Sequence, residues 1–225
     1  KRHIEYRIVF NRLYEYIKST KTANSVIYIA GDIVHSKTDL SPESVDLVSE
    51  FFTKCADLAP TIIIAGNHDC NLNNSYRLDA ITPIVNAINH PSVYYLKDTD
   101  IYELGDCQFN VMSVFDKPAD FIRGANFEGK NKIALHHGAV HNATTDLGIS
   151  LSNTHVTNDL FAGHDLVLLG DIHKTQFLNN EKTIAYPGSL IQQSHGEALV
   201  HGIMVWDVAR RESEFVPIKN DYGYY

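Results

Sequence analysis

Short apolar runs that end in glycine followed by polar residues are the main pattern in this chain. Residues 26–30 lead into a Gly-Asp phrase at 31–32, and residues 61–65 lead into a Gly-Asn-His-Asp phrase at 66–69. A run of this length, rich in β-branched residues and closed by glycine, predicts a buried strand that ends in a loop. Open α/β sheets carry their sites at such strand ends, so both phrases supply candidate site residues.

Apolar residues at helical spacing separate these runs in the first half of the chain. They predict helices over 2–18, 41–58 and 78–88. From residue 93 onward the pattern predicts short strands, over 93–96, 101–104, 108–114, 132–135, 165–169, 183–186, 202–207 and 213–217, with a loop or short helix around 156–161. The first half therefore alternates helix and strand, and the second half is mostly strands, which indicates an α/β protein.

Composition fits one folded domain. The chain has 225 residues, of which 44% are hydrophobic, enough for one sizeable domain over 1–225 and too many for disorder. Its apolar runs have the length of strands, so we expect no membrane span. The chain begins at Lys1, without Met and inside a predicted helix, so we expect a fragment.

The cysteine content limits the cellular compartments that suit this chain, and the net charge limits its binding partners. Three cysteines without a C-x-x-C pair argue against a disulfide framework and against a cysteine zinc site. They fit an intracellular, reducing compartment, either the cytoplasm and nucleoid or the nucleus. A net charge of -8 disfavours binding to nucleic acid through bulk charge. A metal-dependent nuclease stays open, because bound metal ions offset local carboxylates and a few basic residues can contact phosphates.

Two later runs end in the same manner as the first two. His-His-Gly follows an apolar run at 136–138, and Gly-Asp-Ile-His follows another at 170–173. Asp, Asn and His are ligands of hard or borderline divalent metals. One such phrase is weak evidence, since glycine turns with polar residues also simply end strands. Four of them in order predict a metal centre.

These phrases resemble the motifs of the calcineurin-like metallophosphoesterase superfamily. Within it the chain is most similar to the SbcD-type nuclease subunit of double-strand-break repair complexes, through GD-x-x-H-S at 31–36, Lys174 after GD-x-H, and Y-P-G-S at 186–189. The resemblance implies a four-layer α/β/β/α sandwich of two mixed β-sheets flanked by helices. It also implies that 1–225 is the nuclease domain without its first strand and without the C-terminal capping domain.

The resemblance assigns the metal ligands. Asp32 would bridge two divalent ions, and one ion would also take Asn67, His136 and Asp171, the last in place of a family histidine. The other ion would take His173. The family's first motif, Asp-x-His, has no counterpart before Asp32, so this second ion would keep only Asp32 and His173.

The resemblance also assigns residues that act on the substrate. His68 would lie beside the phosphate, where an imidazolium stabilises charge or protonates the leaving oxygen. Asp69 would orient His68. His35 and His137 would touch the substrate or tune the ligand shell.

The implied activity is metal-dependent hydrolysis of DNA phosphodiesters. We expect an exonuclease, with endonuclease activity in addition, that uses two ions, Mn²⁺ or Mg²⁺, in DNA recombination and double-strand-break repair. The implied partners are DNA, an SMC-like ABC ATPase subunit and a second copy of the chain, with no membrane. Two alternatives stay open. One is a metallophosphoesterase acting on small phosphoesters or nucleotides. The other is a non-catalytic scaffold, should the first motif be truly absent.

Overall fold

The computed structural model describes residues 2–74 and 76–224. They fall into two compact units, Lys1–Lys97 and Asp98–Tyr225. The helices are α1 (Arg2–Thr20), α2 (Pro42–Leu58) and α3 (Ile81–Ile88). The strands are β1 (Ile27–Ile29), β2 (Thr61–Ile63), β3 (Val93–Tyr95), β4 (Asp100–Leu104), β5 (Cys107–Met112), β6 (Lys132–His137), β7 (Leu166–Gly170), β8 (Gln176–Phe177), β9 (Ile184–Tyr186), β10 (Gly202–Asp207) and β11 (Glu212–Pro217). That the chain folds as a single domain stays a prediction.

The first unit is a three-stranded parallel sheet with helices. The strand order is β1-β2-β3, and α2 packs on α1, α3 and the sheet. The side chain of Ser41 accepts the backbone N–H of Ser44 at 3.2 Å, which caps α2 at the predicted position. All three predicted helices are confirmed.

The third helix begins at Ile81 rather than at residue 78, because a carboxylate caps it there. Asp79 Oδ1 accepts the backbone N–H groups of Ile81 and Thr82, at 3.0 and 2.7 Å. These N–H groups have no partner within the helix, so an acceptor at this point fixes where the helix starts. The side chain of Asp79 is fully buried and pairs with Lys97 at 3.0 Å.

The second unit is a mixed six-stranded sheet with a separate hairpin. The order is β4-β5-β6-β7-β9-β8, in which β5, β6, β7 and β9 run parallel and the two edge strands are antiparallel. The strands β10 and β11 form the hairpin. The predicted strands are confirmed, whereas β8 was missed, because two residues carry no periodicity. The short helix around 156–161 is a 3-10 turn, Asn158–Phe161.

Each unit has its own hydrophobic core. In the first unit the core lies where α2 and α3 meet the sheet, around Phe52, Ile63 and Ile81, all fully buried. In the second unit Met112 and Tyr186 pack against Phe161 of the 3-10 turn. Among the described residues, no helix combines the length and the apolar composition needed to cross a membrane.

Candidate metal centre

Asp32 ends the first strand of the first unit in a left-handed turn. Its φ is 52°, and its Oδ1 accepts the backbone N–H of His68 at 3.0 Å. Since β1 and β2 are parallel neighbours, the turns that follow them leave the same edge of the sheet. The predicted meeting of Asp32 with the Gly-Asn-His-Asp phrase is therefore confirmed, and Asn67 is exposed on that second turn.

Asp69 braces both turns from inside the first unit. Its carboxylate is fully buried and accepts the N–H of Val34 at 3.0 Å and the N–H of Gly66 at 2.8 Å. Two backbone donors on one carboxylate hold the two turns at a fixed distance. Asp69 was predicted to orient His68, and these bonds position the backbone of the turn that carries it.

His68 is exposed, with a ring held by a backbone group. Its Nδ1 lies 3.1 Å from the carbonyl oxygen of His35. Since a carbonyl only accepts, this bond places a proton on Nδ1 and leaves Nε2 as the acceptor of the neutral ring. The His35 ring is also exposed and stacks on His68, with centroids 5.5 Å apart. The three predicted substrate-side residues, His35, His68 and Asp69, thus lie within one pair of turns.

In the second unit, His136 has the hydrogen-bonding pattern that is typical of a metal-ligating histidine. Its Nδ1 lies 3.1 Å from the carbonyl oxygen of Met112, and its buried Nε2 has no hydrogen-bond partner among the described residues. Ligand histidines in proteins use this arrangement, with one nitrogen donating to a carbonyl and the other free. Burial lowers the pKa of His136 to about 4, which keeps the ring neutral.

The glycine after the two histidines keeps space open at this nitrogen. A Cβ on Gly138 would lie 2.9 Å from Nε2 of His136. Phe121 and Phe161 flank the ring, with centroids 5.5 and 6.1 Å away. An orphaned imidazole nitrogen in an apolar setting costs about 1–3 kcal/mol, so His136 fits a bound cation better than an empty core position.

His137 lies on the opposite face of β6, because side chains alternate along a strand. It is buried, and its Nε2 lies 3.9 Å from Oδ1 of Asp171. The sequence alone left the role of His137 open. Within the second unit the structure brings Asp171 together with His137, so His137 is a further candidate ligand.

The two Gly-Asp phrases share an unusual backbone. Asp171 has a φ of 97° and Asp32 a φ of 52°, each at the end of a parallel strand of its own unit. Left-handed backbone at a residue with a side chain costs about 1–3 kcal/mol and is concentrated at functional sites. Both predicted carboxylate ligands therefore have a backbone conformation that lowers folding stability, which is typical of functional sites.

His173 is oriented by an acidic side chain that no motif in the sequence marks. Its ring is 44% exposed, and its Nδ1 lies 2.9 Å from Oε1 of Glu197, whose side chain is 6% exposed. Glu197 also accepts the N–H of Gln193 at 2.8 Å and the hydroxyl of Ser194 at 3.2 Å. Burial by itself raises the pKa of Glu197, but these bonds and His173 lower it below its usual value. Glu197 is therefore a fixed carboxylate that sets the ring of His173.

The Y-P-G-S segment packs on the backbone of His173. Ser189 donates its N–H to the carbonyl of His173 at 3.1 Å. Gly188 has a φ of 79°, and a Cβ there would lie 2.6 Å from that same carbonyl oxygen. Only glycine allows this approach.

Tyr186 connects the same segment to the His-His-Gly turn. Its buried hydroxyl accepts the N–H of Val140 at 2.9 Å and donates to the carbonyl of Gly138 at 2.7 Å. Burial raises the pKa of Tyr186 far above its usual value, so the hydroxyl stays a donor. The segment therefore supports both loops of the second unit that carry candidate ligands.

The donor set suits divalent cations. Two aspartates, one asparagine and three histidines, with a neutral His136 among them, are the oxygen and imidazole ligands that Mn²⁺, Mg²⁺ and zinc accept. The residues present therefore fit the metal ions that the motifs imply. The distances between these residues and an ion, and the identity of the ion, stay predictions.

Comparison with known proteins identifies the family. A family model described as calcineurin-like phosphoesterase matches residues 6–175. The chain is 47% identical over 234 residues to "Uncharacterized protein R555" of Acanthamoeba polyphaga mimivirus. The aligned region covers 99% of this chain and 17% of that protein. It is also 25% identical over 189 residues to "Putative phosphoesterase 244L" of Invertebrate iridescent virus 6, and this aligned region covers 80% of this chain and 63% of that protein. The chain thus spans less than two thirds of either relative.

The family match covers most of the chain and all four motif phrases. The expected fold class, with mixed sheets flanked by helices, is confirmed. Hydrolysis and the use of divalent metal ions are what this family implies for the chain, and both stay proposals. The particular resemblance to SbcD-type nucleases stays a prediction. The chain belongs to the calcineurin-like phosphoesterase family.

Proposed function

We propose that this chain hydrolyses DNA phosphodiesters with two divalent metal ions, Mn²⁺ or Mg²⁺, as an exonuclease with endonuclease activity. The observation that carries the proposal is the packing of the Y-P-G-S segment. This segment, together with GD-x-x-H-S, is what resembles the nuclease branch in sequence, and Ser189 and Tyr186 bond to the two ligand-bearing loops of the second unit. Because the sequence segment that is typical of the nuclease branch also supports the candidate ligands, we favour DNA, the substrate of that branch.

The proposed ligands are Asp32 and Asn67 in the first unit and Asp171, His173 and one or both of His136 and His137 in the second. When bound, the ions supply an activated water and neutralise charge on the phosphoryl oxygens. The protein's own contribution is made by His68. Its exposed ring, with the Nδ1 proton fixed by the carbonyl of His35, contacts the phosphate. In its imidazolium form the ring donates the Nε2 proton to the leaving oxygen and is left as the neutral Nδ1–H imidazole.

The setting of the activity follows from the same resemblance. We propose a role in DNA recombination and double-strand-break repair, in an intracellular reducing compartment, with an SMC-like ATPase subunit and a second copy of the chain. The supporting observations are the motif phrases and the three free cysteines, of which Cys55 and Cys70 are buried.

The test is a direct comparison of substrates. The purified chain with Mn²⁺ is given linear double-stranded DNA, single-stranded DNA and bis-p-nitrophenyl phosphate, with His68→Ser as the inactive reference. We expect cleavage of DNA that needs Mn²⁺ and is lost in the variant. Turnover of the small diester without cleavage of DNA would assign the chain to small phosphoesters instead. Turnover of neither substrate, at full Mn²⁺ binding, would favour a scaffold.

A second measurement separates the two candidate histidines. Calorimetric titration with Mn²⁺ is made on His136→Ala and His137→Ala, with His164→Ala as a control elsewhere in the second unit. The geometry of His136 Nε2 predicts that its removal lowers the affinity for Mn²⁺ at least tenfold. Loss of affinity in His137→Ala alone would move the ligand role to His137.

A further inference from the structure

A concave pocket of about 600 Å³ opens in the second unit one residue beyond His173. Lys174 lines it, together with residues of the loop that includes His141 and Thr144, the 3-10 turn at Asn158, and strand β8. None of these lining residues belongs to the proposed ligand set. The pocket therefore has no role in the centre described above.

The walls of the pocket are tied to one another by hydrogen bonds. His141 donates its backbone N–H to Val156 at 2.8 Å, within the loop. The side chain of Asn158 donates to the carbonyl of Leu178 at 2.9 Å, which joins the 3-10 turn to the end of β8. The concavity is therefore built into the fold, in the way that binding pockets usually are.

Lys174 is held in place within this pocket. Its Nζ donates to the hydroxyl of Thr144 at 3.1 Å. Gln176 fixes that threonine, because its Oε1 accepts the Thr144 N–H at 2.9 Å and its Nε2 donates to the Thr144 carbonyl at 2.8 Å. An ammonium braced in this way loses little side-chain entropy when it binds an anion.

The charge around Lys174 is suited to an anion. Among the described residues, no carboxylate oxygen lies within 4.0 Å of its Nζ. The other lining groups are mainly amides, hydroxyls and an imidazole, with the exposed Asp159 as the acidic member. Two of the three ammonium donors stay available after the bond to Thr144.

We infer that this pocket binds a phosphate of a nucleic-acid strand next to the phosphate that is hydrolysed. The inference rests on the proposed function and specifies its substrate. A mononucleotide carries no neighbouring phosphodiester, so the pocket favours a polymer over a small phosphoester. A single positioned cation also reconciles DNA binding with a net charge of -8, because the contact is local.

The test measures binding without hydrolysis. The affinity of the chain for a fluorescent single-stranded oligonucleotide is determined in EDTA over a series of NaCl concentrations. A lost phosphate contact weakens binding for every sequence and reduces the slope of log K against log[salt] by roughly 0.7. We expect this change, with a several-fold weaker Kd, in Lys174→Ala. The exposed Lys130→Ala, also in the second unit, serves as the charge-matched control and should leave the slope unchanged.

A second variant separates position from charge. Thr144→Val keeps Lys174 but removes the hydroxyl that braces it, so we expect weaker binding with the salt slope retained. Equal affinity and slope in Lys174→Ala and the wild type would overturn the inference, as would an oligonucleotide that fails to bind the wild type. Competition by inorganic phosphate as strong as by the oligonucleotide would reduce the pocket to a free-phosphate site and likewise overturn it. The binding test is made in EDTA and so does not depend on hydrolysis. If Lys174→Ala weakens oligonucleotide binding as expected but the nuclease assay fails, only the proposed hydrolysis is refuted.

Discussion

The first unit holds its candidate site residues with bonds between neighbouring turns, whereas the second holds them from adjacent strands and a separate loop. Asp32 and Asp69 both accept backbone N–H groups of the two turns that follow β1 and β2. In the second unit the supporting groups lie outside the ligand-bearing turns: Met112 ends β5, Tyr186 ends β9, and Glu197 lies in a later loop. The first arrangement is therefore self-contained within the two turns after β1 and β2, while the second also needs β5, β9 and a later loop.

The largest expected effect concerns the carboxylate that the first unit contributes. Asp32→Asn removes the negative charge but keeps an acceptor for the His68 N–H, and asparagine tolerates the left-handed backbone found there. We expect a loss of several kcal/mol of transition-state stabilisation, on the order of 10³-fold in kcat/KM. The measurement is DNA hydrolysis with Mn²⁺, alongside the unfolding midpoint.

The control for that variant is Asp39→Asn, an exposed aspartate of the same unit. It changes the net charge equally and should leave kcat/KM unchanged. Activity that falls equally in both variants would show that overall charge, and not the position of Asp32, controls turnover.

Removing the brace between the turns tests the self-contained arrangement. Asp69→Ala leaves the buried N–H groups of Val34 and Gly66 without their acceptor, at about 1–3 kcal/mol each. We expect the free energy of unfolding to fall by roughly 2–6 kcal/mol, measured by urea denaturation. Asp69→Asn keeps one acceptor oxygen and should lose about half as much.

The matching change in the second unit is Tyr186→Phe. It removes the hydroxyl that accepts the N–H of Val140 and donates to the carbonyl of Gly138. Because a carbonyl tolerates a lost bond better than an N–H does, the orphaned Val140 N–H dominates and the expected loss is about 1–3 kcal/mol. A loss larger than that of Asp69→Ala would reverse the comparison, because the support from outside the turns would then be the stronger one.

The same comparison explains what the sequence could predict. Each motif phrase stands at a strand end, and strand ends can be located from apolar runs and glycine, so Asp32, His68, His136 and Asp171 could be proposed as candidates from the sequence. The predicted start of α3 was three residues too early. The apolar pattern there does not show where the helix begins, whereas the cap by Asp79 does. Short β8 gave no periodic signal.

The supporting residues of the second unit could not be found by pattern. Glu197 stands in a loop with no motif around it, and only the fold places its carboxylate 2.9 Å from His173. The alternation along β6 does follow from the sequence, and it could have separated His136 from His137. Which of these two histidines lies next to Asp171, however, is determined by how the strands pair in the sheet.

A smaller effect is expected from the residue that orients His173. Glu197→Gln keeps the size of the side chain but replaces the carboxylate that fixes the ring. Changes of this kind typically lower metal affinity about 10–100-fold. Calorimetric titration with Mn²⁺ measures it, and NMR of the His173 ring nitrogens should show a changed tautomer population. Exposed Glu212→Gln is the control, and unchanged affinity with a changed tautomer would remove His173 from the ligand set.

The smallest expected effect is a pH dependence confined to the first unit. Burial by itself raises the pKa of Asp79, but the hydrogen bonds from Thr82 and the ammonium of Lys97 lower it below its usual value. A carboxylate with a depressed pKa in the folded state contributes stability above its unfolded pKa of about 3.9, and that contribution is lost as the pH falls through the folded value. Asp79→Asn should therefore be less stable than the wild type at pH 7 in urea denaturation. The gap should shrink steadily below about pH 4. A gap that stays constant down to pH 3 would show that Asp79 stabilises α3 only as a neutral cap, since Asn caps helices as well as Asp does.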